Sequence, residues 1–165
     1  KNAKKVMKLT KCDAVKLEGG KKIIDIIKYL TKKRIPVMGH IGLLPQHSIK
    51  FKLKGKNFNQ KKQILDDAVA LSNSGVFAIV IECVVESLAR KITNSVSVPT
   101  IGIGASKYCD GQVLVIDDMI GLNDFRPRFV KQYSKVGKII EKSVKKYCRD
   151  VKQRRFPFSK NIYKF

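Results

Sequence analysis

The run VFAIVIECV at positions 76–84 is apolar everywhere except at Glu82. A strand with one face in water alternates apolar and polar residues, so a run without alternation is buried on both faces. Burial on both faces belongs to a parallel sheet covered by crossover helices. The chain supplies the rest of that pattern. Apolar runs at 12–20, 35–45, 98–106 and 111–121 add four more strands, and helical periodicity fills most gaps between the five. Residues 21–33 place Ile23, Ile24, Ile27 and Leu30 on one helical face. Residues 60–74 do the same with Ile64, Leu65, Ala68 and Leu71, and Gly75 is the stop signal. A helix is expected over 2–11, a short one over 86–93, and a long one over 127–151. In the last, Phe129, Tyr133, Val136, Ile140, Val144, Tyr147 and Val151 fall in near-helical register.

The polar residues decide which parallel fold this is. Glu18, His40 and Glu82 each stand where an apolar run gives out, at the C-terminal end of its strand. Barrels draw their chemistry from the C-terminal ends of several strands, whereas an open doubly wound sheet concentrates it at one switch point. Three strand ends therefore favour a (β/α)8 TIM barrel, and five strands are only part of one. The expectation is a single domain over residues 1–165, the C-terminal part of a barrel. About three strand–helix units upstream are missing, which agrees with a first residue that is Lys and not Met.

Each candidate has a plain reading beside the chemical one. Lys16 and Glu18 share a strand face and make either a surface ion pair or a site in which Glu18 is a hard-cation ligand. In the second case Gly19 and Gly20 let backbone approach a bound ion or substrate. His40 is either a hydrogen-bonded core histidine or a site residue. Glu82 is harder to dismiss, because burying a lone carboxylate among apolar neighbours is costly unless it has work to do as a base. Cys83 faces the other way on the strand and reads as packing. The sequence GIGAS at 102–106 is either a phosphate-cradling turn or a clearing for a bulky substrate. Asp117 and Asp118, before the turn at Gly121, are either metal ligands or solvated or helix-capping residues.

Composition excludes some classes. No apolar stretch reaches the roughly 18 residues of a membrane span. Cys12, Cys83, Cys109 and Cys148 are scattered without a CxxC spacing, and two histidines complete the inventory, which argues against a zinc site. Reduced thiols in a cytoplasmic protein are expected. The net charge of +22 invites a polyanion partner, yet only seven of the 35 basic residues are Arg and the lysines run almost end to end. Aromatic side chains for base stacking are not interleaved with them. The charge reads as compositional drift of a kind that AT-rich coding produces, and a nucleic-acid partner is not expected.

Taken together, KLEGG, GHIGLLPQ, IECV, IGIGAS with CDGQVLVIDDMIG, and FRPRFVKQY resemble, in order and spacing, the ketopantoate hydroxymethyltransferase family. The resemblance runs over nearly the whole chain. It implies a (β/α)8 barrel of the phosphoenolpyruvate mutase and isocitrate lyase superfamily, here only the last five strands and their helices. It implies transfer of a hydroxymethyl group from 5,10-methylenetetrahydrofolate to 3-methyl-2-oxobutanoate through a magnesium-stabilised enolate, giving ketopantoate for pantothenate and coenzyme A synthesis. By the same resemblance Glu18 is a magnesium ligand, Lys16 and His40 hold the keto acid, and Glu82 is the catalytic base. A homo-oligomer, typically a decamer of two pentamers, is implied as well.

Two departures stand beside the site: Val85 where the family has Pro, and Leu44 where it has Thr. Both leave the named residues intact and suggest relaxed constraint. The family's upstream strands, roughly a hundred residues, carry two magnesium-binding aspartates and a substrate-contacting serine that have no counterpart here. Read as complete, this chain is therefore expected to be inactive, with open sheet edges that invite aggregation. Two other functions are weighed. A different magnesium-dependent 2-oxo-acid C–C lyase of the same superfamily would need a catalytic cysteine in a loop. A non-catalytic, lysine-rich RNA-binding remnant would need salt-dependent RNA affinity.

Overall fold

The computed structural model of this chain describes residues 1–48, 52–125 and 127–164. Positions 49–51 of the lysine-rich connection and Arg126 of the FRPRFVKQY motif lie outside the described residues. Two compact units divide the chain, Lys1–Val113 and Leu114–Phe165, and each is described by itself.

The first unit is built on a five-stranded sheet of β1 (Val15–Glu18), β2 (Val37–Gly42), β3 (Ala78–Glu82), β4 (Thr100–Ile103) and β5 (Gly111–Gln112). All four pairings are parallel and the spatial order is the chain order, β1 to β5. An open doubly wound sheet reverses its order at a switch point. The unbroken order seen here is that of consecutive strands in part of a (β/α)8 barrel, as expected. Helix α1 (Asn2–Thr10) precedes the sheet. The crossovers carry α2 (Ile24–Lys32), α3 (Phe58–Ser72) and α4 (Glu86–Thr93). Asn57 caps α3 by accepting the Gln60 N–H at 2.9 Å, which satisfies one of the free donors of its first turn.

Strand β3 is buried at all five positions, as its unbroken apolar sequence requires. Its odd-numbered residues Ile79 and Ile81 join Val37 and Ile41 of β2 in one core. Ile27 and Leu30 of α2, Ile64, Ala68 and Leu71 of α3, and Leu88, Ala89 and Ile92 of α4 complete it. Val15 and Leu17 of β1 pack on the same cluster. Burying one such side chain is worth about 1.5–3 kcal/mol, so this helix-covered face supplies most of the driving force of the unit. The opposite face carries Lys16, Glu18, His40 and Glu82.

Two expected elements are corrected. The apolar run at 111–121 forms strand only at Gly111 and Gln112, and Ile116–Met119 is a short helix, α5. Val113 donates its N–H to the Gly102 carbonyl of β4 at 3.0 Å but is about half exposed, and among the described residues no further strand pairs with β5 on its other side. Strand-forming side chains without a neighbouring strand do not make a sheet. The acidic pair Asp117 and Asp118 falls in the first turn of α5, where negative charge is favoured.

The long tail helix is α6 (Val136–Lys152), so Phe129 and Tyr133 lie outside it. The reason is local. The Tyr133, Val136 and Gly137 N–H groups donate to the carbonyls of Met119, Ile120 and Gly121 at 2.8, 2.9 and 3.1 Å, which holds that segment along the end of α5. Within the second unit, Tyr147 meets Phe156 edge-to-face at 5.4 Å.

Candidate active site

Strand pairing brings the candidates together. Parallel partners project side chains to the same face, and the register sets Glu18 beside His40 and Gly42 beside Glu82. His40 is thus flanked on one side by β1 and on the other by β3. Its Nε2 lies 3.2 Å from Glu82 Oε2, and its Nδ1 lies 3.8 Å from Glu18 Oε1. The three side chains are 0, 10 and 6% exposed, so they meet largely away from water.

The short Nε2–Oε2 approach has the distance of a hydrogen bond without its direction. Neither ring nitrogen has a partner of hydrogen-bond geometry among the described residues. A buried imidazole with two such nitrogens is costly unless something else uses them. Glu18 is anchored from the other side, its Oε2 accepting the Gln46 N–H at 3.1 Å. Gln46 sits in the short turn Pro45–His47 that ends the GLLPQ motif. Lys16, two residues before Glu18 on the same face, is exposed and has no ion-pair partner among the described residues. The surface ion pair with Glu18 does not form.

The two glycines after Glu18 serve the chain itself. Gly19 has φ of +133°, a conformation open to glycine. A Cβ at Gly20 would lie 2.0 Å from Asp67 Cγ, and Asp67 Oδ1 accepts the Lys21 N–H at 2.8 Å. A carboxylate of α3 lies in the space that Gly20 leaves.

The GIGAS turn is explained in the same way. A Cβ at Gly102 would lie 2.9 Å from Gln112 Oε1 and 3.1 Å from Cys109 Sγ. Buried Ser106 donates to Glu86 Oε1 at 2.9 Å, and its carbonyl accepts Gln112 Nε2–H at 2.8 Å. Gly102 makes room for the chain's own side chains. Asp118 Oδ1 accepts from Asn123 Nδ2 at 2.9 Å, and neither aspartate caps α5, whose N-cap is Val115 with no side-chain cap bond.

Four free cysteines are present. Burial, and then the Glu82 carboxylate, push the Cys83 thiol up to about 11. It stays protonated at neutral pH and is buried, in keeping with a packing residue.

Among the described residues no three His, Cys, Asp or Glu side chains converge as a metal site. Glu18 offers one carboxylate with one oxygen already engaged. Magnesium asks for near-octahedral oxygen ligation, and these residues alone do not provide it.

Sequence reading missed three contributors: Gln46, Asp67 and Gly42. Gln46 and Asp67 act across 28 and 46 residues, and no local pattern signals such contacts. Gly42 was visible only as one glycine of GHIG. No helix among the described residues is long and apolar enough to cross a membrane.

The family model for ketopantoate hydroxymethyltransferase matches residues 1–159. A 3-methyl-2-oxobutanoate hydroxymethyltransferase of Pelagibacter ubique is 57% identical over 98% of this chain and 63% of its own length. Proteins of the same name from Rhizobium etli and Chlorobaculum parvum are 49 and 48% identical, over 99% of this chain and 62 and 60% of their lengths. The chain spans about three fifths of the length of the curated relatives it matches.

Proposed function

The chain belongs to the ketopantoate hydroxymethyltransferase family, and from that premise we propose that the protein containing it transfers a hydroxymethyl group to 3-methyl-2-oxobutanoate. The observation that carries this reading is the line Glu18–His40–Glu82 across the C-terminal ends of three adjacent parallel strands. A barrel enzyme keeps its chemistry at that end.

Glu82 is the base. Its carboxylate, largely buried and 3.2 Å from His40 Nε2, takes the proton from C3 of the keto acid. His40 lies beside that carboxylate and presents its ring to the substrate. Lys16 places a positive charge on the same face, where it attracts the anionic keto acid and the enolate that forms from it. The C3 carbanion attacks the methylene carbon of 5,10-methylenetetrahydrofolate as one of its two C–N bonds breaks, and the freed nitrogen takes the proton that Glu82 removed. Water then replaces the second nitrogen, giving its oxygen to the hydroxymethyl group and a proton to that nitrogen, and tetrahydrofolate leaves. The folate carries the one-carbon unit, and the protein positions and polarises.

Magnesium belongs to the proposal through family resemblance, with Glu18 as one ligand. The described residues do not make a complete site for it on their own. A cytoplasmic homo-oligomer is the assembly proposed.

The direct test supplies the protein containing this chain with 3-methyl-2-oxobutanoate and 5,10-methylenetetrahydrofolate. Ketopantoate, identified by mass, is the expected product. Cleavage of a 2-oxo acid in place of that product would favour a lyase and remove this reading.

A further inference from the structure

We propose that Gly42, together with the left-handed backbone at Cys83, positions the Glu82 carboxylate; the inference rests on the reading of Glu82 as base. Strand alternation would send residues 78, 80, 82 and 84 to one face. Glu82 faces His40, yet Val84 is buried in the helix-side core with Ile64 and Leu88. The chain changes face between them, and it does so at Cys83, a non-glycine residue with φ of +49°. L-residues seldom adopt that conformation, and it persists only where the surroundings hold it.

The surroundings are specific. The Glu82 carbonyl accepts the Leu43 N–H at 2.8 Å, and Cys83 donates its N–H to the Ile103 carbonyl at 2.9 Å. The Cys83 carbonyl accepts the Lys54 N–H at 2.8 Å, and the Lys54 carbonyl accepts the Val85 N–H at 3.0 Å. Three separate segments therefore grip the backbone around the base.

Gly42 makes the grip possible. At φ of +93°, a Cβ there would lie 2.2 Å from the Glu82 carbonyl oxygen and 2.6 Å from Val84 Cγ2. Any side chain at position 42 displaces the peptide that carries the base, and a displacement near 1 Å costs on the order of 100-fold in rate.

The experiment follows deuterium exchange at C3 of 3-methyl-2-oxobutanoate in D2O, by NMR, with the protein containing this chain. Gly42→Ala is expected to lower kcat about 100-fold with the keto-acid KM little changed. A kcat within about threefold of wild type in a folded Gly42→Ala protein would overturn the inference.

If Gly42→Ala fails to fold, the Cys83 series decides. Glycine accepts a left-handed φ freely and β-branched valine resists it, so Cys83→Gly is expected to exchange faster than Cys83→Val. The reverse order, which lost packing of a buried side chain predicts, would overturn the inference.

Glu82→Gln is the control for the base itself. If it keeps exchange, the functional reading fails. The 13Cδ resonance of Glu82 then still reads the grip, displaced in Gly42→Ala if the grip is real and unmoved if it is not.

Discussion

At the scale of single residues, the candidate site shows what sequence can and cannot carry. Glu82 was legible because a carboxylate in an otherwise apolar run has few reasons to exist. Its meeting with His40 was not, since 42 positions separate the two and only strand register joins them. The glycines were legible as glycines, but the contact of Gly20 with Asp67 was not, since 47 positions separate the two.

Cys83 carries a prediction of its own. With its thiol raised to about 11 by burial and the adjacent carboxylate, the reactive thiolate is scarce below that pH. Mass-spectrometric mapping of iodoacetamide labelling at pH 7.5 should find exposed Cys148 modified and Cys83 unmodified. Labelling of Cys83 should rise only as pH climbs toward 11. Rapid labelling at pH 7.5 would contradict the assignment.

At the scale of elements, α2 and α3 follow from helical periodicity and four of the strands from unbroken apolar runs, because burial dominates their energetics. The fifth strand and the start of α6 do not, because a hydrogen-bonding neighbour decides them and hydrophobicity does not. Asp110 shows such tertiary control at the entry to β4. Its Oδ2 accepts the Thr100 N–H at 2.8 Å and the Thr100 hydroxyl at 2.9 Å. Those two bonds, the backbone one first, hold its carboxyl below the usual carboxylate range.

A folded-state pKa below the unfolded value of about 3.9 means stability that is present above that value. It is lost as pH falls through the folded pKa. Asp110→Asn should therefore lower stability at neutral pH by about 1 kcal/mol, solvent screening allowed for. Urea titrations of the two proteins should converge as pH drops below about 4. A gap that persists unchanged to pH 2 would show that the charge of Asp110 has no part in it.

At the scale of the whole molecule, the parallel order of the sheet and the family membership agree on a barrel segment. The charge of +22 is the property least tied to the site. Helix α6 gathers Lys138, Lys142, Lys145, Lys146, Arg149 and Lys152 with one internal pair, Lys145–Glu141. Charge spread in this way binds polyanions weakly and loses the binding to salt. Elution from heparin near 0.15 M salt is expected, and retention well above it would point to a selected polyanion site.

The central claim is that Glu82, beside His40 and with its backbone gripped by its neighbours, removes the C3 proton of the keto acid. Exchange of that proton for deuterium measures this step without folate. In the protein containing this chain, wild type should exchange C3 at a rate that Glu82→Gln lowers by 100-fold or more, the usual weight of a general base. Equal rates in the two proteins would contradict the claim.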